Sequence, residues 1–390
     1  MFVGHQQGLF QLSDLFSVES LIIFGLLTLF SLSCSLTQCS GQSGVSSNNT
    51  DIPSQEPTQA KVTPEATQEE IHPGYILYSD TGGLYFFDLQ TSQSSLIVAG
   101  DIRGGKVSPD GKYLAYLTDS DDPDSWKTSN LSVLVLETGE LLNISAFPED
   151  ANTYIWSKEP GVITFTRRNW DYCLEFVDHQ ITGLYQYNVL TNETSTLHIG
   201  TDQYVFWLEE WSPDGRYLLF SHGPDCSEGR LLMYYDVQTG AVDGVPFAEA
   251  SWSPDKNYLA ANGTWYWEPE DLPLVQYNIS TGEAVEVFFE SGYYVSSPVW
   301  SPDGKWIAFI LSPSEYFDPQ PILLNFVTGE VQEIPLSAGR PAFWTEENNS
   351  LVLTITHDDQ TRDVYMHNLD SLDLIQILDG ITGYPLQWVR

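Results

Sequence analysis

From residue 73 onward the chain alternates short apolar runs with short polar turns, and the alternation keeps a beat. The string WSPDGRYLLF begins at Trp211, WSPDKNYLAA at Trp252, WSPDGKWIAF at Trp300 and VSPDGKYLAY at Val107. Weaker copies are WSKEPGVITF at Trp156 and WTEENNSLVLTI at Trp344, and a truncated one holds Trp388. Successive anchors at 107, 156, 211, 252, 300, 344 and 388 lie 41 to 55 residues apart. That is the period of a β-propeller blade, not of a helical solenoid. A second marker runs in phase, a strand end at Asp or Asn followed by x-x-Thr-Gly, as in Asp236 to Gly240, Asn278 to Gly282 and Asn325 to Gly329. Looser copies fall at 88–92, 135–139, 188–192 and 368–372. Seven anchors and seven second markers predict seven units.

Each unit reads as four strands. Ser-Pro-Asp-Gly is a turn in which Pro fixes φ and Gly accepts a positive φ. It joins an inner strand A, ending at the Trp, to an apolar strand B such as 217–220. The Thr-Gly step closes a hairpin between strand C (231–237, 322–327) and strand D (284–289, 331–336). Such a unit cannot bury both faces alone, so the units stack radially with Trp211, Trp252, Trp300 and Trp344 as packing wedges. The first unit, at Pro73-Gly74-Tyr75, aligns only from the turn onward. The last segment, 385–390, is a strand A with nothing after it. Together they complete one blade, so the C-terminal strand is expected to pair with the N-terminal blade and lock the ring. Lys256 takes the place of the turn glycine, and the units at Trp156 and Trp344 lack Pro-Asp-Gly.

These repeats resemble the TolB-like, WD-type β-propellers, marked by the W-S-P-D-G-K-x-[LI]-[AV]-[FY] string. The resemblance covers residues 73–390. It implies an all-β, seven-bladed β-propeller. For function it implies less: such propellers mostly act as binding platforms or scaffold subunits of envelope complexes, and some cap peptidases.

Ahead of the repeats, residues 21–36 read LIIFGLLTLFSLSCSL, sixteen residues without charge. A run this short fits a secretory signal or anchor better than a full membrane span. A lipobox needs a small residue before the acylated cysteine and an aliphatic one three before it. Cys34 has Ser33 but Ser31; Cys39 has Leu36 but Gln38. Residues 1–39 are therefore read as a signal peptide or membrane anchor, with lipidation at Cys34 or Cys39, retention of the anchor, and release all open. Each outcome places the rest outside the cytoplasm, in the cell envelope. Residues 40–72, rich in Ser, Thr, Gln and Pro, form a flexible tether of about 30 Å.

Composition narrows the partners. The 53 Asp and Glu against 15 Lys and Arg give a formal charge of −38, which excludes ordinary nucleic-acid binding. Twelve Trp, 21 Tyr and 19 Phe are too many for a disordered acidic chain.

The B–C connections are the long, irregular ones: 118–130, 167–183, 221–230, 262–273 and 311–320. They mix aromatics with acids, through Trp126, Trp170 and Tyr172, Trp265 and Trp267, and Tyr316 and Phe317. Aromatic planes edged by carboxylates suit sugars or cationic peptide groups, although loops of this length also need aromatics for their own packing. Asp119, Asp121, Asp122 and Asp124 have the oxygen density of a Ca²⁺ loop without the EF-hand glycine or distal Glu. A solvated acidic loop is the alternative, and no other cofactor is expected. Cys173 and Cys226 fall in the B–C loops of neighbouring blades, and an oxidising compartment would join them as a disulfide.

No His-Glu-x-x-His, Cys-x-x-Cys, P-loop or Gly-x-Ser-x-Gly string occurs. His179, His222 and His357 lie in or near the long loops, where they read as surface histidines or, alternatively, as an acid, base or ligand. The sequence thus points to a monomeric, non-catalytic, membrane-tethered module that binds an envelope protein or glycan through its long-loop face. The alternative is an extracytoplasmic carbohydrate-active hydrolase or lyase using carboxylates in the central channel. Paired carboxylates there would favour the enzyme, and a mixed lining the binder.

Overall fold

Two local devices, each repeated around the molecule, set the chain's path. At the Ser-Pro-Asp-Gly turns the serine hydroxyl is a hub. Ser212 Oγ donates to Asp214 (2.8 Å) and accepts the Tyr217 N–H (2.9 Å), while Gly215 N–H bonds Ser212 C=O (2.8 Å). Ser108, Ser253 and Ser301 repeat the arrangement. All four serines are buried, so the hydroxyl satisfies a strand-B N–H that water cannot reach. Gly111, Gly215 and Gly304 take φ between 70° and 72°, and Lys256 is forced to 61° at the equivalent place. At the second marker Asn278 Oδ1 accepts the N–H groups of Ser280 and Thr281, and Asn188, Asn325, Asn368 and Asp88 do the same two and three residues ahead. This Asx turn ends strand C at the Asx residue itself.

The structure, a computed structural model, describes residues 74–119, 129–144, 151–167, 183–199, 205–223, 231–262, 272–313, 319–345 and 350–389. They form seven four-stranded antiparallel sheets. Blade 1 is β1 (Tyr75–Asp80), β2 (Gly83–Asp88) and β3 (Gln93–Ala99). Blade 2 is β4 (Ile102–Val107), β5 (Tyr113–Asp119), β6 (Ser129–Val135) and β7 (Leu141–Asn143). Blade 3 is β8 (Ala151–Trp156), β9 (Val162–Arg167), β10 (Gly183–Asn188) and β11 (Glu193–Ile199). Blade 4 is β12 (Val205–Trp211), β13 (Tyr217–Gly223), β14 (Leu231–Asp236) and β15 (Ala241–Val245). Blade 5 is β16 (Glu249–Trp252), β17 (Leu259–Asn262), β18 (Leu274–Asn278) and β19 (Glu283–Phe288). Blade 6 is β20 (Tyr293–Trp300), β21 (Trp306–Pro313), β22 (Gln320–Asn325) and β23 (Val331–Glu333). Blade 7 is β24 (Arg340–Thr345), β25 (Ser350–Thr356), β26 (Arg362–Asn368) and β27 (Leu374–Ile381). The last strand, β28 (Pro385–Val389), returns to blade 1 and pairs with β1, Trp388 opposite Ile76 and Val389 opposite Tyr75. The expected closure is therefore observed. The inner strands touch in sequence, β28, β4, β8, β12, β16, β20, β24 and back to β28.

Packing follows from the period of two along each strand. In β5, Leu114 and Tyr116 join a cluster shared with blade 1, while Tyr113, Ala115 and Leu117 join one shared with blade 3. The buried apolar residues divide into seven clusters, one at each seam. The anchor tryptophans fill these seams. Trp211, Trp252, Trp300 and Trp344 are 3, 3, 7 and 6% exposed. Trp156 stacks on Tyr113 and Trp252 on Tyr217, each on the preceding blade. Trp156 and Trp344 also donate Nε1–H to the carbonyls of Lys106 and Val299 across the seam. Trp211, Trp252, Trp300 and Trp388 bury Nε1 without an acceptor, so they contribute packing alone.

The closing seam carries an extra clamp. Arg362, 8% exposed, reaches the carbonyls of Gln360, Thr382 and Gly383, bonds the Tyr384 hydroxyl (2.6 Å) and lies over its ring (3.6 Å). Asp80 holds the same connector through the N–H and hydroxyl of Thr382.

Candidate functional site: the central channel and its long-loop mouth

Every strand A ends at its anchor residue or one residue past it, so the A–B and C–D turns share one end of each blade. Tyr75 and Val389 stand at that end, paired with each other. The B–C connections leave from the opposite end. Five are long, running from Asp119 to Ser129, Arg167 to Gly183, Gly223 to Leu231, Asn262 to Leu274 and Pro313 to Gln320. Two are tight, between β1 and β2 and between β25 and β26.

The aromatics Trp126, Trp170, Tyr172, Trp265, Trp267, Tyr316 and Phe317 lie outside the described residues. So do Asp121, Asp122 and Asp124, Cys173 and Cys226, and Cys34 and Cys39 in the N-terminal segment. The structure does bring the flanks of those loops to one mouth. Asp119 is described as the last residue of β5, paired with Ser129 at the base of its loop. Of the histidines, His222 lies within β13 with its ring 4.8 Å from that of Phe206, and His357 bonds Asp363 (3.1 Å) in the tight turn of blade 7. An open depression there is lined by His357, Asp358, Asp359, Thr361, Asp363 and Asp379. No three His, Cys, Asp or Glu side chains converge as metal ligands among the described residues.

The channel itself is walled by the seven inner strands. The residue just before each anchor faces the seam with the next blade. Three of them, Gln387, Glu210 and Ser251, use their side chains as hooks. Gln387 Oε1 accepts the Val107 N–H (2.8 Å), Glu210 Oε2 the Trp252 N–H (3.0 Å) and Ser251 Oγ the Trp300 N–H (3.5 Å). Three more positions are apolar, Ile155, Val299 and Phe343. The seventh is Lys106.

Charge is segregated around this ring. Glu209, Glu210 and Glu249 stand on β12 and β16, and Arg103, Lys106 and Arg340 on β4 and β24, the strands flanking blade 1. Each acid already takes a donor from the scaffold: Ser221 Oγ to Glu209, Trp252 N–H to Glu210, Ser297 N–H to Glu249. Burial pushes the Glu210 carboxyl up to about 7, against the pull of the Trp252 N–H, Lys158 and Lys106. Burial lowers the Lys106 amine, and Glu209 and Glu210 act the other way. Lys106 is half-buried, with protein around most of its side chain. A cavity of about 310 Å³ opens beside the acids, lined by Glu209, Glu249, Ser297 and Pro298.

None of these channel charges stands out in the repeat. The available signal was a charged or amide residue immediately before an anchor, at 106, 210 and 387, in strands otherwise apolar at that place.

No protein-family profile matches the chain, and no curated protein sequence matches it. Solved structures do match in fold. Oligogalacturonate lyase from Vibrio parahaemolyticus is 15% identical with a TM-score of 0.56, over 79% of this chain and 93% of that one. Prolyl oligopeptidase B from Galerina marginata is 13% identical with a TM-score of 0.58, over 80% of this chain but only 50% of the peptidase. TolB from Acinetobacter baumannii is 14% identical with a TM-score of 0.47, over 80% and 82%. At these identities the likeness is one of fold, and the fold is the seven-bladed propeller expected from the repeats.

Proposed function

We propose that the chain is a non-catalytic binding module, exported and held at the membrane by its N-terminal segment, that takes an envelope protein or glycan at the mouth formed by its long B–C loops. One observation carries this reading. All five long connections leave from one end of the blades, while the stereotyped turns and the start of β1 at Tyr75 occupy the other. A rigid ring with variable loops gathered at one mouth is how binding surfaces are usually built. The channel supports it, because its carboxylates already accept scaffold hydrogen bonds.

The test is a pull-down from intact envelopes with the full chain, beside a glycan array. Trp265→Ala with Trp267→Ala should abolish capture of a protein partner or clear the array signal. Capture and array signals both unchanged in that variant would remove the loop face from the reading.

A carbohydrate-active enzyme is the second reading, favoured by Glu210, whose raised pKa suits a general acid. Release of new reducing ends or unsaturated sugars from polysaccharide, lost in Glu210→Gln, would establish it over the first.

A further inference from the structure

Two aromatic side chains are exposed among the described residues, Phe289 and Tyr384. Tyr384 is the one that the fold holds in place. It lies between β27 and β28, at the mouth end of the closing seam, and is 55% exposed. Its N–H and its carbonyl both bond Ser79. Its ring rests on the Arg362 guanidinium (3.6 Å), which is itself fixed on three carbonyls. That clamp accounts for the hydroxyl and for one face of the ring. It does not account for the other face, which no ring or cation covers among the described residues. A ring immobilised before a ligand arrives loses little entropy when one stacks on it.

The polar groups beside it point in a fixed sense. Asp80 Oδ1 accepts three donors, the N–H groups of Thr81 (2.7 Å) and Thr382 (2.9 Å) and the Thr382 hydroxyl (2.7 Å). Burial works against the charge, but the three donors outweigh it and hold the Asp80 carboxyl below its ordinary range. The Thr382 hydroxyl has one hydrogen and gives it to this carboxylate. In its contact with the Thr81 hydroxyl (2.9 Å) it therefore accepts. What remains open on this exposed turn is a pair of acceptors, the Thr81 oxygen and Asp80 Oδ2, which takes no donor among the described residues. The Tyr384 hydroxyl is the reverse. It accepts from Arg362 (2.6 Å), which leaves its own hydrogen to give.

An aromatic plane with acceptors and one donor beside it fits a sugar better than a cation. An ammonium group only donates, and would leave the tyrosine hydroxyl unmatched. A second cation over a ring that already carries a guanidinium adds repulsion. A sugar hydroxyl both donates and accepts, and the C–H face of a pyranose lies flat on an aromatic plane. The blades on either side of the seam, 7 and 1, have the tight connections, 357–361 and 81–82, so no long loop leaves from them.

We propose that Tyr384, with Asp80, Thr81 and Thr382, is a subsite for one neutral sugar ring at the mouth of the channel. The proposal rests on the reading of the mouth as a binding surface and commits that reading to a glycan. The Tyr384 ring takes the C–H face, and Asp80 Oδ2 and the Thr81 oxygen accept from the sugar hydroxyls.

The experiment is saturation-transfer NMR on the full chain, in buffer without sugar detergents. The probes are the methyl glycosides of glucose, galactose and mannose, with Nα-acetylargininamide as the cationic comparison. At least one glycoside should receive saturation, strongest at the protons of one ring face, with Kd on the order of millimolar. Tyr384→Ala should abolish the transfer and Tyr384→Phe should retain it. Asp80→Asn should weaken binding roughly tenfold, the loss of one charge-assisted bond. No transfer to any glycoside, transfer to the argininamide alone, or affinity unchanged in Tyr384→Ala overturns the subsite. Should Tyr384→Ala not fold, affinity unchanged in Asp80→Asn does the same. The glycan array separates this proposal from the reading beneath it. Signal lost with Trp265→Ala and Trp267→Ala but unchanged in Tyr384→Ala keeps the loop face and overturns the subsite. Glycoside transfer lost in Tyr384→Ala, with capture and array unchanged in the tryptophan pair, keeps the subsite and removes the loop face.

Discussion

Glu210→Gln tests the electrostatics of the channel. Glu210 hooks blade 4 to blade 5 through the Trp252 N–H, and glutamine keeps the accepting oxygen and the shape while removing the charge. In the folded chain the carboxyl titrates near 7 rather than 4.5, chiefly through burial. The folded state then binds the proton more tightly than the unfolded state, so this group favours folding least where it must be ionised. Its penalty is small below 4.5, grows as pH rises to about 7, and is constant above. Linkage gives roughly 2.5 kcal/mol of stability lost between pH 5 and pH 8. That is a ceiling, because Glu210 is only partly buried. The assay is denaturant unfolding of both proteins from pH 5 to 8.5, compared as a difference so that other titrating groups cancel. The variant should be the more stable at pH 8, with the gap closing toward pH 5. A difference that is flat with pH, or that grows as pH falls, would refute the argument.

Further outcomes follow from the ring. Trp388→Ala should cost about 3–5 kcal/mol, as for other large buried aromatics, and should expose the pairing of Tyr75 to hydrogen exchange before other strands; unchanged exchange there would contradict closure by β28. Leu372, exposed and held at φ of 60° where other turns have glycine, should give a protein about 1 kcal/mol more stable as Leu372→Gly, read from thermal unfolding. A Cys173–Cys226 disulfide should protect both thiols from alkylation in denaturant until reductant is added, and reduction should cost up to about 4 kcal/mol for a loop of about 50 residues. Labelling of both thiols without reductant would dismiss it.

The fold was legible because its information is local and repeated. Pro, Gly and Asx residues specify each turn within five positions, and seven copies in register leave one architecture. Strand ends were less sharp. Strand C stops at Asp236 and Asn325, one to two residues earlier than the apolar run, because the Asx side chain already bonds the N–H two ahead. The channel was not legible, for a geometric reason. Bulges interrupt the inner strands of every blade except blade 5. Counting back in twos from a tryptophan then assigns faces wrongly. Arg103 and Arg340 reach the depth of Glu249 although they lie four residues before their anchors and Glu249 only three. The serine of the turn was also passed over, since its hydroxyl matters only once strand B is placed beside it.

Splitting blade 1 between the two ends of the repeat region has a consequence for how the molecule is made. Ser79 and Tyr384, bonded across the closing seam, are 305 residues apart, a separation whose closure entropy is about 5 kcal/mol. During synthesis β28 emerges after every other strand, so the blades already formed must wait as an open crescent with a bare edge at β1. Until β28 is in place the ring stays unlatched, and a holdase that covers β1 would protect the edge that β28 later occupies.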